Sequence, residues 1–386
     1  MMNIYVAKVL NIFRFFIYQV IDIILKFSKQ TKHSNTLLII RLDSIGDYIL
    51  IRNIFQSLKQ FKKFKDFKIT LCGNIVWKDL AETFDKEIID DFIWLNRKKF
   101  NNNPLYKFKL LKKIYQSGFE FVVDTTFSRE ILFGDSIVNT SCANERIGTV
   151  GAPDAYVKWK RSLLTNNYYT QLITQSSERI FEFYRNKEFF EIVLREKIDL
   201  IKPIMDCSDI YIKLPTNKDY AVIFPGAQEE KRRWSISFFE QIIEQLILKY
   251  HLNVVIAGSS SDSVVARKMV KCHTSNACFD MTSKTTLPQL AKLISLSKLL
   301  VSNETSAVHF AAAVGTPFIC ISNGQRFGRF MPYPKEMNIN CRYFYPEDIE
   351  KNLNDLNYLD KYRFNSDLDI NSITPDKILK VLPELL

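Results

Sequence analysis

Short, unbroken apolar runs alternating with helix-period segments constrain this chain more than any other feature. The runs are Thr36–Leu42, Lys68–Cys72, Glu120–Asp124, Ala221–Phe224, Asn253–Ala257, Leu299–Ser302 and Pro317–Ile321. Between them, Tyr48–Leu58, Ser237–Lys249, Leu287–Leu296 and Ala307–Val314 repeat their apolar residues at helical spacing. A strand that is apolar on both faces must be covered on both faces, and parallel neighbours need a crossover helix. The alternation therefore predicts an α/β fold with parallel sheets and helices on either side.

The alternation pauses between residues 150 and 218. That stretch holds a polar loop, a charged helix from Ser177–Tyr184 onward, and the segment Lys213–Lys218. A second βα series starts at Tyr220. At 386 residues the chain is also long for one core. We read two Rossmann-like domains, at 35–205 and 218–386, behind an N-terminal helical segment at 1–30.

That segment, residues 3–28, is rich in Ile, Leu, Val and Phe. Lys8, Arg14, Asp22 and Lys26 interrupt it, so no charge-free stretch reaches the ~20 residues of a spanning helix. No small-residue cleavage site follows it. On a helical wheel, Lys8, Asn11, Arg14, Tyr18, Gln19, Asp22, Lys26 and Lys29 share one stripe and apolar residues fill the rest. An amphipathic helix of this kind either lies in a membrane interface or packs on the protein's own body.

Charge points to an anionic partner. Residues 1–120 carry 21 Lys/Arg against 11 Asp/Glu, which accounts for +10 of the chain's net +11. Nucleic acid, an anionic membrane surface and a phosphorylated substrate would all fit, as would a merely solvated lysine-rich face. No nucleic-acid motif accompanies the charge, and we expect no nucleic-acid partner. The seven cysteines are irregularly spaced without a C-x-x-C, which predicts reduced thiols in a cytoplasmic protein and no metal site, including at Cys272, His273 and Cys278.

Neither G-x-G-x-x-G nor the P-loop motif occurs, so a nucleotide would be held by other means. Ligands of open α/β sheets sit at the carboxyl ends of strands, and four strand ends carry unusual residues. After the first run, Ser44-Ile45-Gly46-Asp47 opens a helix. Gly46 permits a tight turn and close approach of another molecule. Asp47 is either an ordinary first-turn acid or a general base. After Phe224, Pro225-Gly226-Ala227-Gln228 leads into Lys231, Arg232 and Arg233, a solvated basic loop or a cradle for a diphosphate. Ala257-Gly258-Ser259 reads as a structural turn with Asp262 or Ser263 capping the next helix. Finally, Glu304-Thr305-Ser306 starts a helix that ends at Gly315. Its first amides would face outward as an anion site, with His309 one turn further along.

Four stretches in register resemble glycosyltransferase family 9, the heptosyltransferase-like enzymes of lipopolysaccharide assembly. They are RLDSIGDYIL, the triplet Arg146-Ile147-Gly148, PGAQEEKRRW and SNETSAVHFAAAVGTP, spread over residues 36–325. The resemblance implies a GT-B fold, with two Rossmann-like domains facing across a cleft. The first would bind the acceptor and the second a nucleotide-diphosphate sugar, in an inverting reaction without bound metal or other cofactor. It makes Asp47 the general base, with Ser44 and Gly46 on the acceptor side. Arg232, with Lys231 one position earlier, would neutralise the leaving diphosphate. Ala227, Gln228, Arg233, Glu304, Thr305, Ser306 and His309 would complete the donor site. The family's D-T-G-x-x-H becomes E-T-S-x-x-H here, so ADP-heptose is the candidate donor with the sugar open. Another nucleotide sugar for a capsule or O-chain glycan, or a non-catalytic nucleotide-sugar or glycan-binding protein, are the alternatives. The implied acceptor is an acidic glycolipid at the inner face of the cytoplasmic membrane, where the N-terminal helix would hold the protein.

Overall fold

The computed structural model of the protein describes residues 4–152, 155–176, 179–272 and 276–386. The chain divides into two compact units, residues 1–178 with 184–199, and residues 179–183 with 200–386.

The first unit holds a six-stranded parallel sheet of β1 (Thr36–Arg41), β2 (Lys68–Asn74), β3 (Asp91–Leu95), β4 (Phe121–Asp124), β5 (Glu145–Thr149) and β6 (Gln171–Ile173). Their order is β3-β2-β1-β4-β5-β6. The second unit repeats this with β7 (Tyr220–Phe224), β8 (Asn253–Ile256), β9 (Cys278–Asp280), β10 (Leu299–Asn303), β11 (Phe318–Ile321) and β12 (Cys341–Phe344). Their order, β12-β11-β10-β7-β8-β9, is the same winding. Each sheet is doubly wound, and its order reverses between the first and fourth strands, where such sheets bind ligands. The fold class read from the alternation is the one observed.

Central strands behave as their composition dictates. Leu37–Ile40 and Ala221–Ile223 are fully buried, as strands covered on both faces must be. Five strands escaped the sequence reading. β3 and β12 are edges with half-exposed residues, β6 and β9 have three residues each, and β5 carries Glu145, Arg146 and Gly148. The apparent pause at 150–218 is also partly structured, because Ala155–Leu164 and Glu182–Leu194 are helices and β6 lies between them. The helix expected from Ser177 starts only at Glu182, and Ser177 lies outside the described residues.

The N-terminal helix spans Ile4–Lys26 and packs on the helices Pro104–Ser117 and Gly134–Ser141. Tyr18, Ile21 and Leu25 enter the core of the first unit beside Leu38, Ile40, Val122 and Ile137. Much of the polar stripe faces inward too. Gln19 donates to the Tyr168 hydroxyl (2.9 Å), Arg14 to Asn102 Oδ1 (2.7 Å), and Asn139 donates to Asp22 Oδ2 (3.1 Å) and to the Tyr18 oxygen (2.7 Å). No described helix is long and apolar enough to cross a membrane.

Candidate functional site

The first site forms at the end of β1. The strand runs apolar until Arg41, whose side chain is fully buried. The chain then turns through Leu42–Ser44. Asn74 Nδ2 and Arg97 Nη1 each donate to the Leu42 carbonyl at 3.2 Å, and the Trp77 indole donates to the Asp43 carbonyl at 3.1 Å. The turn is therefore made by these clamps. Gly46 lies inside the following helix, Ile45–Ile49, and the sequence reading that gave it the tight turn is corrected on that point.

Asp47 sits in this short helix and is 7% exposed. Ser44 Oγ donates to its Oδ2 (2.5 Å), and Arg41 Nη2 stands 3.6 Å from its Oδ1. Ser44 is the N-cap but spends its hydroxyl on Asp47 rather than on a backbone amide. Arg41 also meets Asp43 (3.2 Å) and donates to the Thr125 carbonyl (2.9 Å) and Asn186 Oδ1 (3.2 Å). The carboxylate is thus held in one orientation by a hydroxyl and a buried guanidinium, at a strand-order switch where such sheets bind ligands.

The helix carrying Asp47 is anchored by its next residue. Tyr48 stacks on Trp77 (centroids 4.1 Å apart, planes 7° from parallel) and donates to Asp85. Buried Asp85 also accepts from Arg52 Nη2 (2.8 Å) and Gln56 Nε2 (2.9 Å). Burial raises the Asp85 carboxyl above the usual range, and the Arg52 charge opposes that rise.

Beside β1, Asp124 closes β4, in register with Ile40. It belongs to a buried network with Tyr169, Asp135, Arg129 and Thr165. Tyr169 Oη lies 2.7 Å from Asp135 Oδ1 and 3.1 Å from Asp124 Oδ2. Arg129 Nε donates to Asp135 Oδ1 (3.0 Å) and Thr165 Oγ1 to its Oδ2 (2.5 Å). Burial, and then the nearby Asp135 charge, push the Asp124 carboxyl up to about 6.

The second site joins the ends of β7 and β10, the switch point of the second sheet. Asn303, the last residue of β10, accepts from the Trp234 amide (3.1 Å) and donates to the Pro225 carbonyl (2.7 Å). Trp234 is buried and its indole donates to the Ile373 carbonyl (2.8 Å). These bonds fix the loop so that Arg232 Nη2 donates to the Glu304 carbonyl (2.6 Å) and stands 3.6 Å from Glu304 Oε1. Ser322 donates to the other carboxylate oxygen. Burial raises the Glu304 carboxyl, with Arg232 and Ser322 pulling it back. A Cβ at Gly226 would lie 2.6 Å from Asp262 Oδ2, so a larger residue there would have to displace that side chain. Asp262 itself forms a capping box with Ser259, a structural role.

The structure separates the remaining candidates. Thr305 caps the helix Ser306–Val314 by accepting from the Ala307 amide (3.2 Å), so that amide is not open as the sequence reading had it. Thr305 and Ser306 are half-buried. His309 is 5% exposed, with Nδ1 2.7 Å from the Tyr333 hydroxyl and its ring near Phe330. Lys231 reaches Asn365 Oδ1 (2.6 Å) and Asp367 Oδ1 (3.1 Å), and Arg233 Nε donates to the Ala227 carbonyl (2.8 Å). Gln228 is exposed. Of the three consecutive cations, only Arg232 contacts Glu304.

Sequence reasoning missed Arg41, Asn303 and Ser322. An arginine ending an apolar strand was the available signal for the first. Asn303 and Ser322 act through partners far along the chain and left none. The described cysteines are free thiols and no described cluster of His, Cys, Asp and Glu could hold a metal ion. His273 lies outside the described residues.

The sequence profile of glycosyltransferase family 9 (heptosyltransferase) matches residues 169–358. The chain is a glycosyltransferase similar to the heptosyltransferase-like enzymes of family 9. Lipopolysaccharide heptosyltransferase 1 of Campylobacter coli is 24% identical over 368 residues, covering 90% of this chain and 98% of that protein. The Escherichia coli heptosyltransferase WaaC with ADP aligns at TM-score 0.69 with 13% identity, over 91% of this chain and 100% of that one. A family 9 glycosyl transferase from Veillonella parvula aligns at 0.68 with 14% identity, over 93% and 99%. At such identities the structural likeness speaks for the fold, which is GT-B-like.

Proposed function

We propose that this family 9-type glycosyltransferase moves a sugar, with inversion, from a nucleotide-diphosphate sugar to a lipopolysaccharide or lipooligosaccharide acceptor. The observation that carries the reading is placement. Asp47 follows β1 and the Arg232–Glu304 pair joins β7 to β10, so the chemistry-bearing groups of both sheets fall at strand-order switches.

Asp47 accepts the proton of the acceptor hydroxyl as that oxygen bonds to the anomeric carbon. A carboxylate is a weak base in water, so its contribution depends on orientation. Ser44 and Arg41 supply that orientation, and Ser44 and Gly46 lie on the acceptor side. As the anomeric carbon–oxygen bond to the diphosphate breaks, Arg232 takes up the charge developing on the leaving group. Thr305 and Ser306, at the start of their helix, together with Ala227, Gln228, Lys231 and Arg233, border the donor. Glu304 accepts hydroxyls of the transferred sugar. His309 acts by holding that helix against Tyr333. ADP-heptose is the donor we favour, because the curated relatives are heptosyltransferases. None of these steps uses a metal or other cofactor. The protein works in the cytoplasm at the inner face of the cytoplasmic membrane, where such an acceptor is anchored.

A panel of nucleotide sugars tests the donor. Only molecules that bind the folded state raise its melting temperature, by RT ln(1 + [L]/Kd) in free energy. ADP-heptose should give the largest rise. A larger rise with a uridine or guanosine diphosphate sugar would replace it as the donor, and no rise with any would remove the transferase reading.

A further inference from the structure

We propose that the outward face of the N-terminal helix is a seat for an anionic lipid bilayer surface. Ile12, Phe13, Phe16, Val20, Ile23, Ile24 and Phe27 are 52% to 88% exposed. At 100° per residue the six positions within the helix fall within a 120° arc, Phe27 follows in the turn after it, and none bears a charge. The helix is apolar on two sides, since Tyr18, Ile21 and Leu25 already fill its inward face. Arg14, Gln19 and Asp22 turn towards the first unit and bond to Asn102, Tyr168 and Asn139, while large apolar side chains turn away. With one apolar face already in the core, no rotation buries the second against the first unit. An exposed apolar arc of this size calls for a host outside the protein.

Charge selects that host. The helix Pro104–Ser117, against which the N-terminal helix packs, presents Lys109, Lys112 and Lys113 around one surface depression. Tyr115 of that helix donates to the Ser28 carbonyl (2.9 Å), which holds the helix against the chain just past Phe27. Lys29 and Lys32 follow in the chain and are exposed. An apolar arc beside lysines matches acyl chains beneath phosphate headgroups. A second copy of this chain would bring the same lysines against each other.

This deepens the reading of a membrane-borne acceptor and rests on it only for the membrane's presence. The test is flotation of the full chain with vesicles of phosphatidylethanolamine and phosphatidylglycerol, against vesicles of phosphatidylcholine. The wild type should float with the first, and added salt should weaken this. Phe16→Ser with Ile23→Ser changes only exposed side chains and should leave the protein in the soluble fraction with an unchanged melting curve. Lys112→Gln with Lys113→Gln should lower partition to anionic vesicles roughly tenfold or more, and should barely alter partition to neutral ones. A wild type that ignores anionic vesicles overturns the proposal, as does flotation that survives the Phe16/Ile23 change. So does a wild-type dimer that this change dissolves. Vesicle binding needs neither donor nor acceptor. Its failure therefore leaves the transferase reading standing, and normal binding without transfer would sink only that reading.

Discussion

Replacing Asp124 by Asn should make the protein's stability less dependent on pH without weakening it at neutrality. The Tyr169 hydroxyl has one proton to give. Asp135 Oδ1 is the nearer acceptor at 2.7 Å, against 3.1 Å to Asp124 Oδ2. Asp124 then meets the Tyr169 oxygen favourably only by carrying its own proton, in keeping with a carboxyl raised from 3.8 to about 6. Between those values the folded state binds more protons than the unfolded chain. The stabilisation tied to that proton is complete below about pH 4, falls as pH rises through 6, and is gone above. About two pKa units at 1.36 kcal/mol each give on the order of 3 kcal/mol. An Asn at this position donates from Nδ2 to the Tyr169 oxygen and still accepts from the Thr126 amide, now 3.0 Å from Asp124 Oδ1. Urea denaturation of both proteins at pH 4.5, 6 and 8, a range that covers most of the shift, measures the difference. The variant should gain on the wild type by about 2 kcal/mol across that range. A difference independent of pH, or a variant weaker by more than about 2 kcal/mol at pH 8, would refute the proton assignment.

Other substitutions probe the same framework. Asp85→Ala strands the buried Arg52 and removes the anchor of Tyr48, so it should lower unfolding free energy by about 3–5 kcal/mol, read by denaturant melts. Gly226→Ala forces a methyl against Asp262 and should cost about 1–3 kcal/mol, visible as a lower melting temperature. Arg232→Ala should reduce kcat/KM for the donor on the order of 10²-fold with the fold intact, while Lys231→Ala, whose partners are Asn365 and Asp367, should change it far less.

The sequence carried much of this molecule and lost the rest for identifiable reasons. Strands buried on both faces, such as Leu37–Ile40 and Leu299–Val301, announce themselves as apolar runs. Edge strands such as Cys341–Phe344 need cover on one side only and tolerate Arg342 and Tyr343. The position of Asp47 was legible because a strand hands over to a helix there. Its contact with Arg41 was not, because an arginine in an apolar run gives no sign of which carboxylate it meets. The N-terminal helix shows the limit most plainly. Its stripe was readable, but the partners of that stripe, Asn102, Asn139 and Tyr168, lie 88 to 149 residues away. Nothing local in the sequence says which face turns inward. One amide expected to be open at the Thr305 helix, that of Ala307, is taken for a simpler reason, since a threonine at an N-cap commonly satisfies an amide itself.

The central claim is that Asp47 is the base. Asp47→Asn keeps the shape of the side chain and an acceptor for Ser44, but removes the charge. Transfer from ADP-heptose to a deacylated core acceptor, followed by mass spectrometry in single turnover, should slow by roughly 10²- to 10⁴-fold, while the melting-temperature rise with ADP stays that of the wild type. Transfer within about threefold of wild type, far short of a general base's usual contribution, would contradict the account.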